Sequence, residues 1–271
     1  MTVRGVPLRA LDTGPEGAAG ALVFLHGFLG SADDFILPMR RLADRVRCVA
    51  PDLPGHGGSA APPEPARYAM AEAAADLSAL CAELHLRRVA AVGYSMGGRI
   101  ALGWAAQHPP EVAGLLLESA SPGLATEKER AERRAADERL AQRLEADGVG
   151  PFVAMWERLP LFASQAALPA AARERQRRTR LRQRAGGLAA SLRGIGTGAQ
   201  PSCWDDLPSL DVPTLLVTGA LDARFTAVAD AMAALLPRGS RRACAGAGHN
   251  VHLEAPDWYG ECVDTFARAI L

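Results

Sequence analysis

Short apolar runs alternate along the chain with stretches of helical spacing. The runs "ALVFLHG" (from Ala21), "VRCVAPD" (from Val46), "RVAAVGYS" (from Arg88), "VAGLLLES" (from Val112), "PTLLVTGALD" (from Pro213) and "SRRACAGAGH" (from Ser240) read as strands. Most are nearly continuous in Val, Leu and Ala, as strands covered on both faces must be. Between them lie amphipathic stretches at Asp33–Asp44, Tyr68–Leu86, Met96–Gln107, Ala223–Leu236 and Pro256–Leu271. This alternation predicts an α/β fold, a mostly parallel central sheet with helices on both faces. The rhythm breaks after "LESASPGL". From about Thr126 to Gln200 the chain is rich in Arg, Glu and Ala, with no strand pattern. That is too long for a loop in a compact domain, so it reads as a helical cap inserted between two strands. The expected division is a first core part over 1–120, a cap over 121–204 and a second core part over 205–271.

Composition narrows the function. With 271 residues, 49% of them hydrophobic, the chain can bury a large core. Its formal net charge is zero, so no global field favours nucleic acid or a membrane surface. Lys128 is the single lysine, so almost every cation is an arginine, the planar fork suited to carboxylates. The apolar runs are strand-sized and too short to span a bilayer, and the N-terminus lacks the apolar core of a signal peptide. Cys48, Cys81, Cys203, Cys244 and Cys262 show no C-x-x-C spacing. They read as reduced core thiols, which places the protein in the cytoplasm. A homo-oligomer is compatible with this composition. No cluster has metal-ligand spacing and no glycine-rich phosphate motif occurs, so the chemistry is expected to need neither metal nor cofactor.

The candidate chemistry sits at strand ends. "GYSMGG" follows one strand and opens a helix, the setting of a nucleophile elbow. Gly93 and Gly97 permit a sharp turn that lifts Ser95 above the sheet edge. A serine hydroxyl needs a neighbour to take its proton. "GAGHNVH", after the last strand, supplies His249, and "TGALDARF", after the strand before it, supplies Asp222. The order Ser, Asp, His matches an α/β-hydrolase triad. The competing reading of Asp222 is the N-cap of the helix that follows. His252 is the second choice of base, and Asp206 or Asp211 the second choice of acid. "FLHGFLGSADDF" follows another strand, and the N–H groups of Phe28 and Met96 would form an oxyanion hole. His26 and His56 read as loop-fixing residues. Arg99 stands one helical turn after Ser95, so the two share a face.

Beyond these motifs, "LHGFLGS", "GYSMGGRIAL", "SASPGL", "ERAERRAADERLAQRL", "MWERLPLFAS", "GLAASLRGIGTGAQPS", "LDARF" and "GAGHNVHLE" mark a resemblance. The chain resembles the α/β-hydrolase superfamily and, within it, the 2-succinyl-6-hydroxy-2,4-cyclohexadiene-1-carboxylate synthase family of menaquinone biosynthesis. The resemblance implies an elimination: a proton leaves carbon, pyruvate departs from a succinyl-enolpyruvyl-hydroxycyclohexene carboxylate, and a conjugated cyclohexadiene remains. It implies Arg99, Arg133 and Arg180 as carboxylate clamps and Tyr94 and Trp156 as pocket residues. Arg130 and Arg134 crowd the same turn as Arg133, and Arg180 lies in an arginine run that alone would read as a solvated face. Cys203 and Leu140 depart from the family's usual residues. Two other readings fit the triad alone: a carboxylesterase or thioesterase, and a non-catalytic ligand-binding module. An esterase for neutral acyl groups gains nothing from a buried cation beside its serine.

Overall fold

The computed structural model describes residues 1–271 apart from Glu16 and Ala19. Its main sheet has seven strands: β3 (Ala10–Thr13), β4 (Ala21–Leu25), β5 (Arg47–Pro51), β6 (Val89–Tyr94), β7 (Val112–Glu118), β8 (Thr214–Gly219) and β9 (Gly239–Cys244). They lie in the order β3-β5-β4-β6-β7-β8-β9. Only β3 runs antiparallel; the other neighbours pair in parallel. Successive residues of a strand face opposite ways. Val23, Leu25, Ala91, Leu115 and Leu117 therefore enter one core layer, while Leu22, Phe24, Ala90, Val92 and Leu116 enter the other. Helices α2 (Met70–Glu83), α3 (Met96–Gln107) and α8 (Ala223–Leu235) cover the first face. Helices α1 (Ile36–Leu42) and α10 (Pro256–Ile270) cover the second.

From β4 the chain moves to β5 on one side, then returns to β6 on the other. The strand order thus reverses between β4 and β6, and ligands of open α/β sheets bind outside the carboxyl ends at such a point. The loop after β4 carries Phe28, and the turn after β6 carries Ser95.

Between β7 and β8 the described chain is helical: α4 (Glu127–Asp147), α5 (Val149–Trp156), a 3-10 stretch at Pro160–Ala167, α6 (Ala170–Leu181) and α7 (Ala185–Ile195). A capping box between Thr126 and Glu129 starts α4. This helix buries only Asp137, Ala141 and Leu144. Its outer face is laced with ion pairs such as Arg143–Asp147, at 3.4 Å. Leu144, Phe152, Val153, Leu188 and Leu192 pack with Leu29 of the loop after β4, which sets this helical layer over the carboxyl edge of the sheet. Gln183, between α6 and α7, fastens it there. Its Nε2 donates to the Gly30 carbonyl at 2.9 Å, and its Oε1 accepts from the Gly57 N–H at 2.8 Å.

Several elements differ from the sequence-based expectation. The hairpin β1 (Thr2–Val3) with β2 (Val6–Pro7) and the edge strand β3 carry no apolar run, since they are short and partly exposed. The strand expected from Ser240 to His249 ends at Cys244, where a loop with Gly246 at φ 78° begins. The helix expected from Tyr68 starts two residues later, because Ala69 is extended at ψ 155°. The helix expected from Asp33 opens as a 3-10 turn, Ala32–Phe35, capped by Ser31. Among the described residues, no helix is long and apolar enough to cross a membrane.

Candidate active site

The turn between β6 and α3 forces Ser95 to φ 49°, ψ −106°, a region L-residues rarely adopt. The turn is this sharp because glycine lets it be. A Cβ on Gly97 would run into the Leu25 and His26 carbonyls, and one on Gly93 would meet the Gly97 carbonyl at 2.5 Å. Backbone atoms of a central strand cannot give way as a flexible side chain can. Gly97→Ala should therefore lower unfolding free energy by about 3 kcal/mol or more, the upper end of overpacking costs. Urea denaturation of the variant measures this; an unchanged midpoint would refute it.

At the start of α3, Ser95 meets the positive end of the helix dipole. Its Oγ lies 3.2 Å from His249 Nε2, and His249 Nδ1 lies 2.7 Å from Asp222 Oδ2. His249 is 2% exposed and Asp222 8%, so the imidazole–carboxylate contact is shielded from water, while Ser95 is half-buried at the cavity wall. Asp222 serves both of the roles its position suggests. One oxygen faces the imidazole, and the other accepts the Phe225 N–H at 3.1 Å as the cap of α8. Asp206 and Asp211 are exposed and take no part. His252 points elsewhere: its Nδ1 lies 2.8 Å from Glu118 Oε2.

Phe28 and Met96 line a cavity of about 200 Å³ together with Ser95 and His249. Met96 is the first residue of α3, so its N–H has no intrahelical acceptor. The loop bearing Phe28 is held by His26, whose Nδ1–H donates to the Gly27 carbonyl at 2.8 Å while its Nε2 accepts from the Leu53 N–H at 3.0 Å. That pairing requires a neutral ring, and complete burial pushes the His26 pKa below its ordinary value. His56, 5.1 Å away between ring centres, is pushed down to about 3 by burial and then by His26. Both are loop supports.

The arginines divide. Arg99, 8% exposed, lines the cavity with Ser95. Its two acceptors are uncharged: the Ile195 carbonyl at 3.0 Å and Gln200 Oε1 at 2.6 Å. Burial, followed by repulsion from Arg133, lowers its pKa to about 10, so it stays a cation at neutral pH. Arg133 lines the same cavity and pairs with Asp137 at 2.8 Å. Its neighbours Arg130 and Arg134 turn away, to the Leu124 and Gly198 carbonyls at 3.0 Å each. Arg180 does not join them. It is buried, pairs with Glu157 at 3.3 Å and lies over the Phe162 ring at 5.4 Å. With Tyr94 it frames an adjoining cleft, which shares Phe28 and Trp156 with the cavity. Spacing along α6 cannot distinguish these outcomes, because the loop bearing Glu157 decides them.

This geometry has known counterparts. The family model for the alpha/beta hydrolase fold matches residues 20–256. A Bacillus subtilis (strain 168) protein provisionally named 2-succinyl-6-hydroxy-2,4-cyclohexadiene-1-carboxylate synthase is 41% identical over 266 residues, covering 98% of this chain and 96% of the relative. A Salmonella schwarzengrund (strain CVM19633) protein bearing that name outright is 36% identical, covering 94% of this chain and 95% of its own. The chain belongs to this synthase family of α/β hydrolases. The solved structure of MenH from S. aureus superposes with a TM-score of 0.92 at 32% identity, covering 99% of both chains.

For a member of this synthase family, sequence reasoning overlooked several cavity residues. Ser119, at φ 47° just past β7, lines the cavity, as do Ser191, Trp204 and Arg224. Arg224 alone had a legible signal, two residues after Asp222. Gln200, which orients Arg99, is 101 positions away from it in sequence. Among the described residues, no group of three or more His, Cys, Asp or Glu is disposed to hold a metal ion.

Proposed function

We propose that this chain eliminates pyruvate from a succinyl-enolpyruvyl-hydroxycyclohexene carboxylate, leaving 2-succinyl-6-hydroxy-2,4-cyclohexadiene-1-carboxylate. The observation that carries the reading is Arg99: a buried guanidinium, with only neutral acceptors, in the same cavity as Ser95. A cation left without a carboxylate partner is costly unless a ligand brings one. The names of the relatives, which give a succinyl-hydroxycyclohexadiene carboxylate as the product, support this polyanion as the substrate.

His249 takes the Ser95 hydroxyl proton, and Asp222 holds the imidazole in the matching tautomer. The Ser95 oxygen removes a proton from a ring carbon. The electron pair forms a ring double bond as the carbon–oxygen bond to the enolpyruvyl group breaks. His249 returns its proton, and pyruvate departs. The N–H groups of Phe28 and Met96 stabilise the enolate charge that develops. Arg99 and Arg133 grip substrate carboxylates as charge-assisted forks. Trp156 walls the cavity, while Tyr94 and Arg180 act from the adjoining cleft. The helical layer, residues 121–204, serves as a cap that excludes water. The ligand is a small polycarboxylate, with no call for nucleic acid or a membrane. Five unpaired cysteines, all buried, suit the cytoplasm.

Supplying the succinyl-enolpyruvyl cyclohexene acid and following pyruvate release tests the reading. Stoichiometric pyruvate is expected with no added metal or cofactor. No pyruvate, together with brisk cleavage of neutral esters, would replace the lyase with a hydrolase.

A further inference from the structure

We infer that Glu118 is a positioning residue that fixes the distance between the serine turn and the histidine loop; the inference rests on the roles of Ser95 and His249 proposed above. Glu118 ends β7, beside β6, and is 0% exposed. Its backbone carbonyl accepts the N–H of Ser95 at 2.8 Å. Its side chain grips the other half of the site. Oε1 accepts the backbone N–H of His252 at 3.0 Å, and Oε2 accepts from the His252 ring Nδ1 at 2.8 Å. His252 follows His249 by three residues, on the short helix α9 (Val251–Glu254). One residue therefore holds the chain at the nucleophile and at the turn that presents its base.

The His252 ring strengthens this tie. It meets the Tyr94 ring edge-on, with centres 4.8 Å apart, and Tyr94 immediately precedes Ser95. Tyr94 in turn lies 5.5 Å from the His249 ring. A closed path thus runs from Ser95 through Glu118, His252 and Tyr94 back to Ser95, with His249 on its rim. Stability alone does not call for such a pair. Replacing a buried ion pair by apolar groups of the same volume is often neutral or stabilising. Geometry does call for it, because the Ser95–His249 contact of 3.2 Å is already at the long limit for proton transfer. A misplacement of about 1 Å costs roughly 100-fold in rate.

Glu118→Gln and His252→Ala test the tie. The first keeps volume and the backbone acceptor for Ser95, but gives two donors one side-chain acceptor. The second keeps the His252 N–H and removes the ring. Each variant is assayed for pyruvate release and for the rate at which a fluorophosphonate probe labels Ser95. Both are expected to lose about 10- to 100-fold in kcat with KM little changed, and to slow labelling by the same factor. Added to Ser95→Ala, either change should cost nothing further, since positioning an absent nucleophile has no value. Wild-type labelling in both variants, an undiminished loss in the Ser95→Ala background, a loss confined to KM, or failure of both variants to fold would each overturn the inference. A wild type that is labelled but releases no pyruvate would overturn the lyase reading, while the labelling rates would still judge Glu118.

Discussion

Ser95→Ala should abolish nearly all pyruvate elimination, lowering kcat by about three to six orders of magnitude, and His249→Ala should do the same. The size follows from their interdependence. Ser95 Oγ lies 3.2 Å from His249 Nε2, and a serine hydroxyl is a poor base until a neighbour takes its proton. The double variant should consequently be only slightly slower than either single one. Additive losses would mean that the two act in separate steps. The comparison is clean because the Ser95 side chain neither caps α3 nor fills a core position, so truncation leaves the fold intact. Turnover near wild type in Ser95→Ala would remove the proposed mechanism.

Arg99→Ala should separate the lyase reading from the hydrolase reading. Losing one partner of a buried carboxylate–guanidinium pair costs about 2–5 kcal/mol. At 1.4 kcal/mol per factor of ten, that is roughly 30- to several-thousand-fold in kcat/KM for the polyanionic substrate. A small neutral ester such as nitrophenyl acetate makes no such contact. Any weak cleavage of it through Ser95 should stay within a few-fold of wild type. Some stability will also be lost, because Gln200 Oε1 and the Ile195 carbonyl lose their shared donor. About 1–3 kcal/mol is expected for each buried acceptor left unpaired, so rates should be compared well below the melting point. Equal losses on both substrates would make Arg99 a prop of the serine turn. No loss on either would favour an esterase.

What the sequence disclosed has a physical pattern. Ser95, Asp222 and His249 were legible because each follows a strand and each announces itself locally: a glycine-flanked turn, a helix cap, a glycine-rich loop. The sheet was legible because β4, β6 and β7 are buried on both faces and therefore nearly all apolar. The surroundings of Arg180 were not legible, because charge, helical spacing and resemblance all leave open which neighbour pairs with the guanidinium. Glu157 pairs with it from the end of α5, 23 positions away. The Glu118–His252 pair was illegible for the same reason on a larger scale, with 134 positions between its members. The edge strand β3 was missed because half-exposed edges need no apolar signature.

The backbone at Ser95 places catalysis and durability in opposition at one codon. Its conformation, at φ 49°, is one that glycine adopts freely and serine only under compulsion from its surroundings. The compulsion amounts to about 1–3 kcal/mol, a sizeable share of the 5–15 kcal/mol that keeps a domain folded. Selection for persistence alone would drift this position toward glycine and leave behind a sturdier, inert descendant. On the catalytic role proposed for Ser95, a serine rather than a glycine at this strained position therefore marks use of the reaction more directly than the fold around it does.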